Sequence, residues 1–195
     1  MTMTMTRTYV SVLCGTVLTL LIVSAYVTSF DGVFVDGDER TEIVENRGIS
    51  RLWPLTDAMS APRWGERGTF SCRPVLSLSF ALQHAATGRD MWWYHAVNLA
   101  IHCTNALLVF GILRGSLRLY RGDDRRRWSD DACAWACALL WALHPVQTES
   151  VTFVIQRAES LSGLFYLATV YGAIRAFTCV RPAGWYIMAV TACLL

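Results

Sequence analysis

"TYVSVLCGTVLTLLIVSAYVTSF", residues 8–30, holds no charged side chain over 23 consecutive positions. Roughly 20 apolar residues in a helix cross a hydrocarbon core about 30 Å thick, so this stretch is long enough to span a bilayer. A cleaved signal peptide is the rival reading. Two features oppose it: the apolar run outlasts an ordinary signal core, and no small-x-small cleavage site precedes Asp31. The composition agrees with a membrane protein, because 54% of the 195 residues are hydrophobic and the mean hydropathy is +0.36, above what a single soluble core carries.

Four more apolar segments follow, at about residues 91–113, 132–145, 150–175 and 184–195. In "MWWYHAVNLAIHCTNALLVFGIL", residues 91–113, Trp92, Trp93 and Tyr94 form an aromatic belt of the kind found at a membrane interface. Ser129 is placed to cap the third segment, with Asp130 and Asp131 at its positive end. The fifth segment stops at Leu195 in mid-helix, so the chain is expected to be the N-terminal piece of something longer. The fold class expected is all-α, a multi-pass membrane helix bundle.

Loop charges set the expected orientation. Residues 114–131 hold six arginines between Arg114 and Arg127, and Arg175 and Arg181 follow in the next connection on that side. The positive-inside rule places these loops and the N-terminus in the cytoplasm, and residues 31–90 outside. Within that outer loop, "ISRLWPLTDAM" and "RPVLSLSFALQH" offer apolar faces at helical spacing: Leu52, Leu55 and Met59 in one, Val75, Leu78 and Leu82 in the other. Two short amphipathic helices along the membrane surface are expected there, with Pro54 and Pro74 in their first turns.

All 17 basic residues are arginine and the net charge is +2, so bulk charge points to no nucleic-acid partner. Any phosphate chemistry would have to use guanidinium groups. Six of the seven cysteines lie in apolar runs, an odd count with no CxxC pair, which is neither a disulfide framework nor a zinc site. Cys133 and Cys137, at i and i+4, are read as small buried hydrophobes rather than metal ligands. No metal is expected.

Three polar constellations stand out. "FDGVFVDGDERTEIVEN", beyond the first span, puts Asp36, Asp38, Glu39, Glu42 and Glu45 beside apolar walls, where a carboxylate can act as general base toward a hydroxyl. A solvated acidic loop is the plainer reading. His95, Asn98, His102 and Asn105 fall on one face of the second span, suited to helix-to-helix hydrogen bonds in a bundle interior. "ALHPVQTESVTFVIQRAES", residues 142–160, breaks at Pro145. The helix resuming near Thr148 is expected to carry Glu149, Gln156 and Arg157 on roughly one face. An arginine at mid-bilayer costs about 2.5–3.5 kcal/mol on insertion scales, so a partner is required: Glu149, Glu159 or a bound phosphate.

Three ordered blocks then carry a resemblance. "ALHPVQTESVTFVIQRAESL", "RPVLSLSFALQH" and "YHAVNLAIH" resemble signature blocks of membrane proteins that join a multi-span domain to tetratricopeptide repeats, a family that includes O-mannosyltransferases. That family resembles glycosyltransferases of the GT-C fold, which take a sugar from a polyprenyl-phosphate carrier on the extracytoplasmic side. The resemblance implies O-mannosylation: a mannose-like sugar moves to a protein or other hydroxyl acceptor, without metal, in a bacterial inner membrane or an endoplasmic reticulum.

It also implies a catalytic acidic pair in the first outer loop. Counting back from Ile43 and Asn46 gives Asp38 and Glu39, with Asp38 as base; counting forward from Phe34 and Val35 gives Asp36 and Gly37. Arg157 becomes a candidate for the carrier phosphate, where a guanidinium can bind two oxygens at once. His144, Glu149, Gln156 and Arg73, the last opening the RPVLSLSF block, would border the same pocket. A non-catalytic membrane scaffold of a repeat protein and a transporter remain the alternatives.

Overall fold

The computed structural model describes residues 2–31, 43, 49–50, 52–59, 73–121 and 128–195. Among them every regular element is a helix. Helix α1, Thr2–Tyr26, runs into a 3-10 turn at Val27–Asp31; α2 is Leu55–Met59, α3 Pro74–Thr87, α4 Met91–Arg121 and α5 Trp128–Ala142. Then come α6, Gln147–Thr152, a 3-10 turn at Val154–Gln156, α7, Arg157–Thr178, and α8, Ala183–Leu194. Tyr9–Phe30 and Met91–Tyr120 are each long and apolar enough to cross a membrane.

Helix α4 is the hub, with α1, α5 and α7 all packed against it. It runs past residue 113, where the sequence reading ended it, because Arg and Leu are good helix formers and nothing in "RGSLRLYR" breaks the backbone. Arg114 then reaches α5, its Nε donating to Asp131 Oδ1 at 2.9 Å with both side chains largely buried.

Small residues set the helix spacing. Ala134, Ala138 and Ala142 line one edge of α5 at intervals of four and are fully buried against α1 and α4. That stripe turns Cys133 and Cys137 outward, so they are exposed and not the buried pair expected from sequence. On α4, Gly111 and Gly115 lie under Tyr171 and Ile174 of α7; a Cβ would meet those side chains at 2.7 and 2.8 Å. Backbones that close gain dispersion contact no larger residue would permit.

The segment expected to run as one helix over 150–175 is broken at Phe153, whose φ −92 and ψ 114 are extended. Residues 151–155 are Val-Thr-Phe-Val-Ile, four of them β-branched, which lose rotamer freedom in a helix. The carbonyls freed by the break are not left bare. Asn98 of α4 donates from Nδ2 to Phe153 O at 3.3 Å and Val154 O at 3.4 Å.

Both short helices of the first loop are present, with different buried faces from those read in the sequence. Pro74 occupies the first turn of α3, and Gly88, at φ 64, ends it with its N–H donating to His84 O. The buried face is Leu76, Phe80 and Gln83 with Ser77 and Ala81, whereas Leu82 is half exposed. In α2 the buried residue is Ala58, and Leu55 and Met59 are exposed. Phe80 decides the facing of α3, since its ring covers a cation and a second aromatic ring, contacts no leucine stripe can make.

Candidate functional site

Along the first half of α4, the four polar residues of the predicted stripe are all buried and three bridge helices. Asn105 Nδ2 donates to Ser160 O at 3.0 Å. His102 Nε2 lies 2.9 Å from Ala142 O; a carbonyl can only accept, so that nitrogen carries the proton. The same carbonyl accepts from Tyr26 Oη at 3.1 Å. Ala142 is the last residue of α5, so its oxygen has no partner inside the helix, and α1 and α4 supply two.

Arg157 opens α7 and is completely buried, the largest side chain to be so among the described residues. Its Nε donates to Asn98 Oδ1 at 2.8 Å and its Nη2 to Tyr94 O at 3.3 Å. The guanidinium carbon sits 4.1 Å from the centre of the Phe80 ring and 5.7 Å from that of Tyr94. Asn98 is the joint of this cage, since one end of its amide holds the arginine and the other holds the Phe153 break. Nη1 has no hydrogen-bond partner among the described residues. The partners expected from sequence lie elsewhere: Glu159 is exposed beside Arg73, and Glu149 is exposed on α6.

The remaining predicted site residues are spread around this centre. Arg73 precedes α3, exposed, with its Nη2 4.0 Å from Glu159 Oε1. His144 is exposed in the turn after α5, its Nδ1 accepting the Val146 N–H at 3.2 Å. Gln156 is half-buried in the 3-10 turn next to Arg157. The break at Phe153 prevents Glu149 from sharing a continuous helical face with Gln156 and Arg157. Asp36, Asp38 and Glu39 lie outside the described residues.

Two anchors locate where that acidic segment leaves and returns. Phe30, just before it, packs on Trp92 at 5.0 Å and edge-on to His95 at 6.5 Å between ring centres. Ile43 and Ile49 belong to one buried cluster with Leu76, Phe80, Tyr94 and Ala158, the residues around Arg157. Sequence reasoning named Arg157 but missed Phe80, Tyr94 and Asn98 as its cage. Asn98 was visible only as part of a polar stripe, and a link between residues 59 positions apart has no local signal.

Two cavities open nearby. One, of about 480 Å³, lies between α3, α7 and α8 with Arg73 at its rim; the other, of about 460 Å³, lies between the end of α1 and the α5–α6 turn, lined by Tyr26, Thr28, Ser29, Thr148 and Thr152.

No family model matches the chain, and no solved structure does. Curated proteins do. Protein O-mannosyl-transferase TMTC4 of Homo sapiens is 34% identical over 161 residues, 78% of this chain and 22% of that protein. Protein O-mannosyl-transferase Tmtc3 of Drosophila melanogaster is 29% identical over 76% of the chain and 18% of its own length. Protein O-mannosyl-transferase TMTC1 of Mus musculus is 32% identical over 73% of the chain and 14% of its own length. The chain thus spans about a fifth or less of the relatives it matches. With this kinship across most of its length, and two helices fit to cross a bilayer, the chain is a membrane protein that belongs to the family of protein O-mannosyl-transferases.

Proposed function

We propose that the chain forms part of a glycosyltransferase with a GT-C-like, multi-pass helix bundle, its N-terminus in the cytoplasm. It moves a mannose-like sugar from a polyprenyl-phosphate carrier to a hydroxyl acceptor on the extracytoplasmic side. Asp38 is the general base, with Glu39 and Asp36 as the neighbouring carboxylates. The observation behind this reading is the packing of Ile43 and Ile49 into the cluster that wraps Arg157. Asp38 is five residues from Ile43, so covalent geometry keeps its Cα within roughly 18 Å of that anchor. The reading requires carboxylates and guanidinium to work at one end of the bundle.

The two arginines divide the work on the carrier. Arg157, sealed in its cage, supplies a fixed positive potential in a medium of low dielectric, where a developing negative charge is stabilised more than in water. Arg73, exposed and only loosely paired, is the guanidinium free to contact the phosphate directly. His144, Glu149 and Gln156 border the same end. No metal enters this scheme.

Replacing Asp38 with Asn in the longest protein that contains this chain tests the assignment. Loss of a general base removes about 10²–10⁴ in rate, and sugar transfer to a hydroxyl acceptor should fall by that factor with the membrane level of the protein unchanged. Undiminished transfer would refute Asp38 as base. A non-catalytic scaffold is the second reading, favoured by one observation: the acidic pair is out of register with the Phe34–Val35 start of its motif. Wild-type protein that transfers no sugar would support it.

A further inference from the structure

Helices α7 and α8 form a hairpin that turns at the end of α7 far from Arg157. Arg157 and Arg175 are separated on α7 by roughly 27 Å at 1.5 Å per residue, close to the roughly 30 Å of a hydrocarbon core. A crossing α7 therefore sets Arg175 at the opposite interface. The hairpin is tight because Gly172 has no side chain: a Cβ there would meet Met188 at 2.9 Å, Ala189 at 3.1 Å and the Trp185 carbonyl oxygen at 3.2 Å. That approach lays the Trp185 ring against two residues of α7. It is edge-on to Tyr171, with ring centres 5.7 Å apart, and its centre is 4.9 Å from the guanidinium carbon of Arg175.

The charge at this turn has no counterpart. From Ser160 to Leu195 the sequence holds Arg175 and Arg181 and not one Asp or Glu. Asp131, on α5, is engaged by Arg114 at 2.9 Å. Among the described residues neither Arg175 nor Arg181 has an ion pair. Arg175 is half-buried, its Nε enclosed without a hydrogen-bond partner, and Arg181 is exposed. The negative end of α7 offsets roughly half a charge at Arg175, and its effect fades past the last turn, before Arg181. Phe177, Val180 and Tyr186 are exposed around the two arginines. Two guanidinium groups without carboxylates, set among exposed apolar and aromatic side chains at interface depth, complement an amphiphile with an anionic head and acyl chains.

We infer that the α7–α8 turn is a headgroup site for an anionic phospholipid of the leaflet it meets, with the phosphate between Arg175 and Arg181 and the acyl chains along Phe177 and Tyr186. The inference rests on the multi-pass bundle proposed above, with α7 as a crossing, and not on sugar transfer or its donor. Trp185 holds the plane of the Arg175 guanidinium, so less side-chain freedom is lost when that group takes the phosphate.

Native mass spectrometry of the full chain, released from nanodiscs that mix phosphatidylglycerol and phosphatidylcholine with identical acyl chains, reads which lipid stays bound. The wild-type chain should keep one phosphatidylglycerol under activation that strips phosphatidylcholine. A hydrogen bond to a charged group contributes about tenfold or more in binding, so Arg181→Gln should cut that occupancy by about tenfold. Arg175→Gln should do the same, and it is the second variant because Arg181 is exposed in a turn and its loss leaves the fold intact. Arg126→Gln, in the basic segment between α4 and α5, should leave the occupancy unchanged, since diffuse charge attracts lipid without holding one molecule.

A wild-type chain that keeps no phosphatidylglycerol would overturn the inference, as would occupancy that survives both Arg175→Gln and Arg181→Gln. An equal fall in Arg126→Gln would reduce the turn to general surface charge. Displacement of phosphatidylglycerol by glycerol 3-phosphate at equal concentration would mark a site for free phosphate and sink the lipid assignment. If the lipid is held as described and the longer protein transfers no sugar, the site stands and only the catalytic reading falls.

Discussion

A guanidinium with no exposed surface, and no carboxylate on it among the described residues, must be held by dipoles and aromatic faces, and Arg157 is held by Asn98, Tyr94 O and the Phe80 ring. Lysine cannot reproduce that arrangement, because a point charge lacks the planar fork that donates to Asn98 while stacking on Phe80. Arg157→Lys should therefore destabilise the chain by about 2–4 kcal/mol, the range for breaking a buried polar network, read from unfolding in mixed detergent micelles. Asn98→Leu should cost as much, since it strips the Arg157 Nε of its partner and leaves the carbonyls of Phe153 and Val154 with only the backbone N–H groups of Gln156 and Arg157. Arg73→Gln, at an exposed position, should stay within about 0.5 kcal/mol. An equal cost at Arg73 and Arg157 would contradict the cage. At this scale the sequence announced that Arg157 needed a partner, and named the wrong kind: it pointed to carboxylates close in the chain, while the partners came from 59 and 63 residues away.

Helix identity was legible because apolar length and interfacial aromatics mark a segment whatever surrounds it. Helix facing was legible only where polar residues set it. The His95, Asn98, His102 and Asn105 face is buried as expected, since amide and imidazole groups find partners only between helices. The α3 face was misread because leucines and phenylalanine compete for burial, and a ring over Arg157 won. The Phe153 break was hidden for a related reason, since a β-branched run lowers helix propensity only slightly and Asn98 makes the break affordable. The α4–α7 contact carries its own prediction. Gly111→Leu puts a side chain where a Cβ already meets Tyr171 at 2.7 Å, and overpacking of this kind costs about 1–3 kcal/mol. Its unfolding midpoint should drop accordingly; a midpoint equal to wild type would show that α4 and α7 can separate freely.

For the whole molecule, the end of α1, the start of α4, the α5–α6 turn and the start of α7 meet at one end, while Arg114 and Asp131 join α4 to α5 toward the other. A topology measurement follows from this arrangement. In a cysteine-free background, His144→Cys and Arg73→Cys should react with an impermeant maleimide from the same face of a sealed vesicle, and Leu119→Cys only from the opposite face. Labelling of His144→Cys and Leu119→Cys from one face would undo the orientation and the site with it. What the sequence by itself determined was the class of the chain, its helical segments and the polar residues that could not face lipid, because length, hydropathy and desolvation act on each segment separately. Which groups meet was decided only by the tertiary structure. Arg157 acquired Asn98, Tyr94 and Phe80, and Arg73 acquired the rim of a cavity, through contacts between distant segments that depend on how closely alanine and glycine let the helices approach.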